Sequence, residues 1–478
     1  MNAKLSSIAL AALCAVAGNA NAIVVNISGS SASGGNALRG LVNACQAVTG
    51  NVARLYRLDT SFSSNTSDLT ATFTVTCEDN VGAAANFGAS GYDQARFTLN
   101  GSLNVVSDSA QGNPISGSGT GVPRLNPFVS SCTALGTSAQ SGTGALSFLK
   151  LDRFYSCVGG TANALSDGGY TDVEGRIYVA RGSPGVANTN VATDFPASGF
   201  QQAFGIAVSA DLYKLMQAYQ VAKGTLDASC ATPSGSGPVT YTAGELTTPL
   251  CQPNITKAQY TALINGTLTT PFKQAGANYL IGGTTTAITD LNTAVVTLAG
   301  LPVVKSLIIV HRRSATSGTT AAGELFFLNN PTAQGSAGGA QTARGAFIGG
   351  TGGTPYSVTL QPDTTAVKDG LNLAGYGIGV LSLENNPIGG SETFRFLKLN
   401  GVSGSEGVAG ASQTANAISG NYEFFFDLFK YCPGGVCNPI LATIEANIGA
   451  GASSPGVFTT VEARATRGGV STRTLTGK

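Results

Sequence analysis

The chain has 478 residues, of which 26 are Lys or Arg, 25 are Asp or Glu and one is His, and only 11% are charged. With no basic surplus to neutralise a phosphate backbone, nucleic acid is not an expected partner. The single histidine, His311, rules out a metal site built on two imidazoles and leaves one imidazole for general base chemistry, so neither a metal nor a cofactor is expected.

Residues 1–22 combine Lys4, an apolar run over 8–17 and the small-residue step Ala20-Asn21-Ala22, the pattern of a cleaved secretory signal peptide. Cys14 lies inside the apolar run after Leu13, where a lipoprotein signal wants a small residue. A soluble periplasmic or secreted chain is therefore expected, and no later apolar stretch has bilayer length. Eight of the nine cysteines lie beyond Cys14. An even set in an oxidising compartment favours disulfides over a thiolate metal site, which has no CxxC pair to support it. Nearest-neighbour pairing joins Cys45 with Cys77, Cys132 with Cys157, Cys230 with Cys251 and Cys432 with Cys437, one of the connectivities eight cysteines allow.

The length exceeds what one hydrophobic core fills, so two lobes are expected. Three strand–loop–helix units follow in order. In the first, 23–27 is an apolar strand, 28–35 a small-residue loop, and Leu38, Leu41, Val42 and Cys45 recur at helical spacing. In the second, 204–208 is a buried strand, Ser209 an N-cap, and Leu212, Leu215, Met216 and Tyr219 one helix face. In the third, the apolar run 303–310 leads through 312–318 to a helix carrying Leu325, Phe326 and Leu328. Strands apolar on both faces and alternating with helices predict an α/β fold with parallel-type sheets covered by helices. The Gly-rich stretches 335–353 and 401–420 read as surface loops or insertions.

Loops delivered from a strand to a helix N-terminus suit anions, because free N–H groups and hydroxyls converge there and the helix dipole favours negative charge. The chain offers Ser28-Gly-Ser-Ser-Ala-Ser33, Ser116-Gly-Ser-Gly-Thr-Gly121 and Arg313-Ser-Ala-Thr-Ser-Gly-Thr319. Each alone also reads as a capped turn. The third carries Arg313, whose fork of donors matches a tetrahedral oxyanion; a solvated arginine after a strand is the plain alternative.

In these motifs, and in their order along the chain, the sequence resembles the periplasmic phosphate-binding proteins of ABC transporters, within the type II periplasmic solute-binding family. Ile27-Ser-Gly-Ser-Ser-Ala-Ser33 resembles the family's first anion loop, which implies ligand contacts from Ser33 and Gly34. Gly117-Ser-Gly-Thr-Gly-Val122 resembles the second, with Ser118 in the contacting place, and Thr171-Asp172 resembles a Ser-Asp step whose aspartate accepts a hydrogen bond from a protonated phosphate. Phe204-Gly-Ile-Ala-Val208 resembles the crossover into the second lobe, and 255–266 a helix that precedes a Phe-x-Gly step in relatives. His311-Arg-Arg-Ser-Ala-Thr-Ser-Gly-Thr-Thr320 matches best and implies binding by Arg313, Ser317, Gly318 and Thr319, although Ala315 and Thr316 replace the usual Asp-Gly. Gly375-Tyr-Gly-Ile-Gly379 resembles the return strand to the first lobe. The resemblance implies a two-lobed type II fold with a ligand cleft between the lobes, lobe 1 spanning 23–205 and 380–478 and lobe 2 spanning 206–379. It also implies inorganic phosphate or a similar oxyanion as ligand, and ABC transporter membrane subunits as partners.

Asp172 has a separate physical case. A buried carboxylate repels a fully ionised oxyanion but accepts a hydrogen bond from one that keeps a proton, selecting phosphate or arsenate over sulfate. Beside Gly168 and Gly169 it also reads as a turn aspartate. A competing function is a secreted surface or filament subunit built on the same fold, favoured by the Gly/Ser/Thr-rich insertions. Hydrolysis is not expected: the chain has no G-x-S-x-G elbow and no P-loop, and His311 would act alone.

Overall fold

In the first unit, β1 (Val24–Gly29) buries Val25 and Ile27, and α1 (Gly34–Gln46) turns Leu38, Leu41, Val42 and Cys45 onto the sheet. The strands β2 (Val52–Leu58), β3 (Thr72–Glu78), β4 (Gln94–Thr98), β5 (Val122–Leu125), β6 (Ser131–Ala134), β7 (Arg153–Val158), β8 (Thr161–Ala164) and β9 (Gly168–Thr171) follow, then the short helix α2 (Gly175–Ala180). A long strand, β10 (Ala197–Val208), leads to α3 (Ala210–Ala222), where the Ser209 hydroxyl caps by accepting from the Leu212 N–H at 3.5 Å. The second half contains β11 (Asn254–Ile255), α4 (Lys257–Ile264), β12 (Ile308–Arg313), α5 (Gly318–Leu328), β13 (Tyr356–Gln361), α6 (Thr364–Asn372) and β14 (Tyr376–Ser382). A reciprocal capping box starts α4: Gln259 N–H donates to Thr256 Oγ1 at 3.1 Å and Thr256 N–H to Gln259 Oε1 at 2.8 Å. The chain continues through β15 (Arg395–Phe396), β16 (Lys398–Leu399), β17 (Phe425–Tyr431), α7 (Pro439–Asn447) and β18 (Val457–Thr459).

This computed structural model describes residues 23–30, 33–58, 72–79, 81–99, 101–106, 121–134, 153–180, 191–230, 249–265, 308–313, 317–329, 356–385, 387, 391–404, 415–448, 457–459, 465–466 and 476–477. The expected signal peptide, Ser118 and most of the two Gly-rich stretches lie outside the described residues.

A 14-stranded sheet runs β13-β12-β14-β10-β17-β9-β1-β4-β3-β2-β7-β6, with β15 and β18 also on β10. Its two halves repeat one plan. In the first, β1 lies between β4 and β9, parallel to both, and β17 follows antiparallel. In the second, β12 lies between β13 and β14, parallel to both, and β10 follows antiparallel. The sheets are thus parallel at their centres, as the apolar strands predict, with antiparallel strands where the chain crosses between halves. Strand β10 makes that crossing by pairing with β17 through residues 197–203 and with β14 through residues 204–208.

Two apolar cores flank the sheet. The first joins α1 and β1–β4 to Ile440, Leu441 and Ile444 of α7. The second gathers α3, α4, α5, β12 and β14 with Phe394, Phe396, Tyr422 and Phe424–Phe426. Two sequence expectations shift here. Residues 376–382 form a central strand of the second half, parallel to β12, and not the return strand to the first. Among the described residues Leu381, Leu383, Phe394, Phe396, Leu397, Leu399, Tyr422 and Phe424–Phe426 pack in the second core, and the first core is rejoined at Leu428 of β17 and not at residue 380. The apolar run at 376–382 is what a central strand and a crossing strand have in common, and the sequence does not separate them.

Four disulfides join Cys45–Cys77, Cys132–Cys157, Cys230–Cys251 and Cys432–Cys437. The first ties α1 to β3 and the second ties β6 to β7, while the others close short loops. Among the described residues no helix is long and apolar enough to cross a membrane.

Helices α1 and α7 approach closely over Gly40. A Cβ there would lie 2.4 Å from Ile444 O and 2.9 Å from its Cα, backbone atoms that cannot swing aside. Gly40→Ala is therefore expected to lower the unfolding free energy by about 1–3 kcal/mol, read as a lower denaturant midpoint at unchanged slope. Gly323→Ala, in α5 where a Cβ meets nothing within 4 Å, is expected to raise it by about 0.5–1 kcal/mol. Equal midpoints for the two variants would show that the helices do not cross there.

Candidate functional site

The parallel strands of both halves end at one place, where ligands bind in open α/β sheets. The exit from β1 is Gly29, with φ +124, where a Cβ would fall 1.9 Å from Tyr170 O. Only glycine allows that approach, and it brings Ser30 N–H to Tyr170 O at 2.9 Å. Ser33, at the N-cap of α1, turns its hydroxyl back to Ser30 O at 2.8 Å and gives the helix no side-chain cap. The N–H groups that open α1 at Gly34 are thus left to another partner. Beneath them the fully buried Arg124 donates to Ile27 O and to Ser28 Oγ, both at 2.6 Å, and braces the end of β1.

Asp172, just past β9, is 3% exposed. Its Oδ1 accepts from Ser30 Oγ, and its backbone N–H donates to Ser102 Oγ at 3.2 Å. Ser102 in turn is held through its carbonyl by the Tyr178 hydroxyl, which also contacts Thr171 Oγ1 at 2.8 Å. Burial pushes the Asp172 carboxyl above its ordinary range, against the pull of Ser30, Ser102 and the Arg313 charge.

The second half contributes the end of β12 and the start of α5. Arg313 is buried, and its Nη1 donates to Thr364 Oγ1 at 2.6 Å. Its Nε has no hydrogen-bond partner among the described residues. Burial draws its pKa down, while Asp363 and then Asp172 favour the charged form; an arginine stays protonated regardless. Ser317 caps α5 by accepting from Thr320 N–H at 3.4 Å, and Gly318 opens the helix. A Cβ on Gly318 would sit 2.1 Å from Ser102 Oγ and 2.4 Å from Asp172 Oδ2, so the two halves touch at this glycine. Thr319 and Arg313 line a cavity of about 40 Å³ with His311 and Glu324, room for about one water. His311 itself is buried beside Gln361, 3.0 Å from its Nδ1, and burial lowers its pKa, which keeps the ring neutral near pH 7.

Of the residues singled out in the sequence, Ser33, Gly34, Asp172, Arg313, Ser317, Gly318 and Thr319 thus stand on the converging strand ends of the two halves, with Asp172 and Gly318 in contact. Ser118 lies outside the described residues. In the described residues the exit from β4 is occupied by Ser102, which sequence reasoning missed. Its signal was the step Asn100-Gly101-Ser102 directly after an apolar strand, with Gly101 at φ +126. Thr364 was also missed, and its signal was the Asp363 cap that follows β13. Among the described residues no group of three or more His, Cys, Asp or Glu is placed to hold a metal ion.

No family model and no curated protein matches the chain. Among solved structures it is similar to an ABC-type phosphate transport receptor from Vibrio cholerae, at 11% identity over 59% of this chain and 74% of that one, with a TM-score of 0.28. It is also similar to PstS from Borrelia burgdorferi, at 13% identity over 51% of this chain and 62% of that one, with a TM-score of 0.24. Overlaps this low carry no argument about function, which has to come from the site itself.

Asp172 holds its proton more tightly folded than unfolded, so its burial penalises the fold only once it ionises. The penalty is absent below the ordinary carboxylate range, grows as pH rises from there to the raised value, and is constant above it. Asp172→Asn keeps an acceptor for Ser30 and removes the ionisation. In anion-free buffer the melting temperature of the variant is expected to match that of the parent below the ordinary carboxylate range and to exceed it at neutral pH. A difference that does not change with pH would show that the carboxyl is not desolvated.

Proposed function

We propose that this chain is an extracytoplasmic solute-binding protein that captures a phosphate-like tetrahedral oxyanion where the strand ends of its two halves meet. The observation that carries the reading is the buried Asp172 facing the start of α5 beside Arg313. A guanidinium, the N-terminus of α5 and the serine hydroxyls supply donors for the oxyanion oxygens. A carboxyl group at the same point has use for a ligand that brings a proton, and it disfavours one that cannot. Phosphate and arsenate fit that description and sulfate does not.

The four disulfides support an oxidising compartment, and cleavage after Ala22 would deliver the chain there with Ile23 at its N-terminus. A captured anion handed to membrane subunits of an ABC transporter is the role that follows; the chain carries out no chemistry on it.

Calorimetric titration of the secreted protein, stripped of bound anion, tests the reading with phosphate, arsenate, sulfate and molybdate. Phosphate and arsenate are expected to bind and sulfate to fail. Arg313→Ala is expected to weaken phosphate at least tenfold, as loss of a charge-assisted hydrogen bond does. Asp172→Asn is expected to narrow the gap between phosphate and sulfate. No heat with any of the anions, together with self-assembly into filaments, would replace this reading with that of a structural subunit.

A further inference from the structure

The repeated strand order lets each half be compared with the other. In the first half the chain leaving β4 reaches Ser102, whose hydroxyl fixes the backbone of Asp172. In the second half the corresponding exit, from β13, reaches Asp363 and Thr364 at the start of α6. There Thr364 Oγ1 accepts from Arg313 Nη1 at 2.6 Å, while Asp363 caps α6 by accepting from Ala366 N–H at 2.8 Å. The cap anchors the Asp363 charge beside a guanidinium that it helps keep protonated against burial.

We propose that Thr364 is the positioning residue of the anion site and Asp363 its specificity-determining charge, an inference that rests on the oxyanion reading above. A guanidinium presents two flat donor edges. Holding Nη1 on Thr364 fixes its rotation and leaves the opposite edge, Nε–H parallel to Nη2–H, for two oxygens of one ligand; Nε has no partner among the described residues. Asp363 and Asp172 then place two carboxyl groups around Arg313. Together they weaken the pull of Arg313 on a second full charge, so phosphate, which at neutral pH is partly the monoanion, is favoured over sulfate, which is always the dianion. Two acidic groups from different halves of the fold share this task, and either alone leaves discrimination incomplete.

Four forms of the full chain test this: the parent, Thr364→Val, Thr364→Ser and Asp363→Asn. Each is titrated with phosphate and with sulfate, and each is melted without anion. Thr364→Val is expected to weaken phosphate about tenfold or more, and Thr364→Ser, which restores the acceptor, to return it to within about twofold. Asp363→Asn keeps a good helix cap, so its anion-free melting temperature should match the parent while its preference for phosphate over sulfate falls about tenfold. Unchanged phosphate affinity in Thr364→Val, or no rescue by serine, overturns the positioning role. A melting temperature that falls in Thr364→Val without a change in affinity does the same. An unchanged phosphate-to-sulfate ratio in Asp363→Asn overturns the charge role. A parent that binds no phosphate overturns the oxyanion reading and this inference with it.

Discussion

A carboxyl group withdrawn from water must be compensated by hydrogen bonds, by an opposite charge or by a proton, and at Asp172 the chain arranges all three around one point. Ser30 donates to it, Arg313 lowers the energy of its charged form, and burial still leaves its proton more tightly held than usual. These demands set the local geometry. Strand β1 has to approach β9 closely enough that Gly29 cannot carry a side chain, and α5 has to begin with a residue small enough to touch the carboxyl. Helix α5 is steadied in that place by Ala321, which packs in a small apolar cluster with Val105, Val173, Tyr178 and Tyr431 of the first half. An apolar contact between halves therefore lies one turn away from the polar one, and the two are read out together by any displacement of α5.

The halves are alike in strand order and unlike in charge. The first offers a carboxyl at the end of its third strand; the second offers a guanidinium at the end of its first. Such an arrangement brings a carboxyl of one half against the helix start of the other, beside a guanidinium. The first half also spends an arginine on structure: Arg124 is fully buried and donates only to protein groups of β1 in the bonds described above, so its charge stiffens the strand that delivers Ser30. Arg313 differs in its place, at the end of β12, where it donates to Thr364 and favours the charged form of Asp172 across the halves.

Much of this could be read from the sequence, for physical reasons that differ between elements. The helix faces of α1 and α3 and the Ser209 cap are local features, set by periodicity and by the appetite of a helix terminus for a hydroxyl, and they appear where the spacing puts them. Arg313-x-x-x-Ser-Gly-Thr319 is local too, since one strand and one helix deliver the whole motif. Ser102 and Thr364 were hidden because their role depends on which strand lies next to β1 and to β12, and neighbours in a sheet are not neighbours in sequence. Ser118, to which Gly/Ser repetition drew attention, lies outside the described residues, whereas the step after β4 is placed by the sheet. The lobe boundary failed for a related reason. The aromatic run Phe424–Phe426 is apolar enough for either core, and only the crossing of β17 assigns it to the second.

That crossing also separates the two cores. Strand β10 exchanges β17 for β14 between Ala203 and Phe204, and its register against β17 slips between Ala197 and Gln201. A register slip is where a ladder twists most easily. Two polar side chains bond across it: Gln201 donates to Asp427 on the partner strand, and Ser198 to Leu428 O at 2.7 Å. Such bonds tolerate rotation better than interdigitated apolar groups do, because a hydrogen bond has a broad angular well and a packed core does not. Leu41 and Phe204 belong to separate cores, and the two halves meet at Gly318 and Asp172.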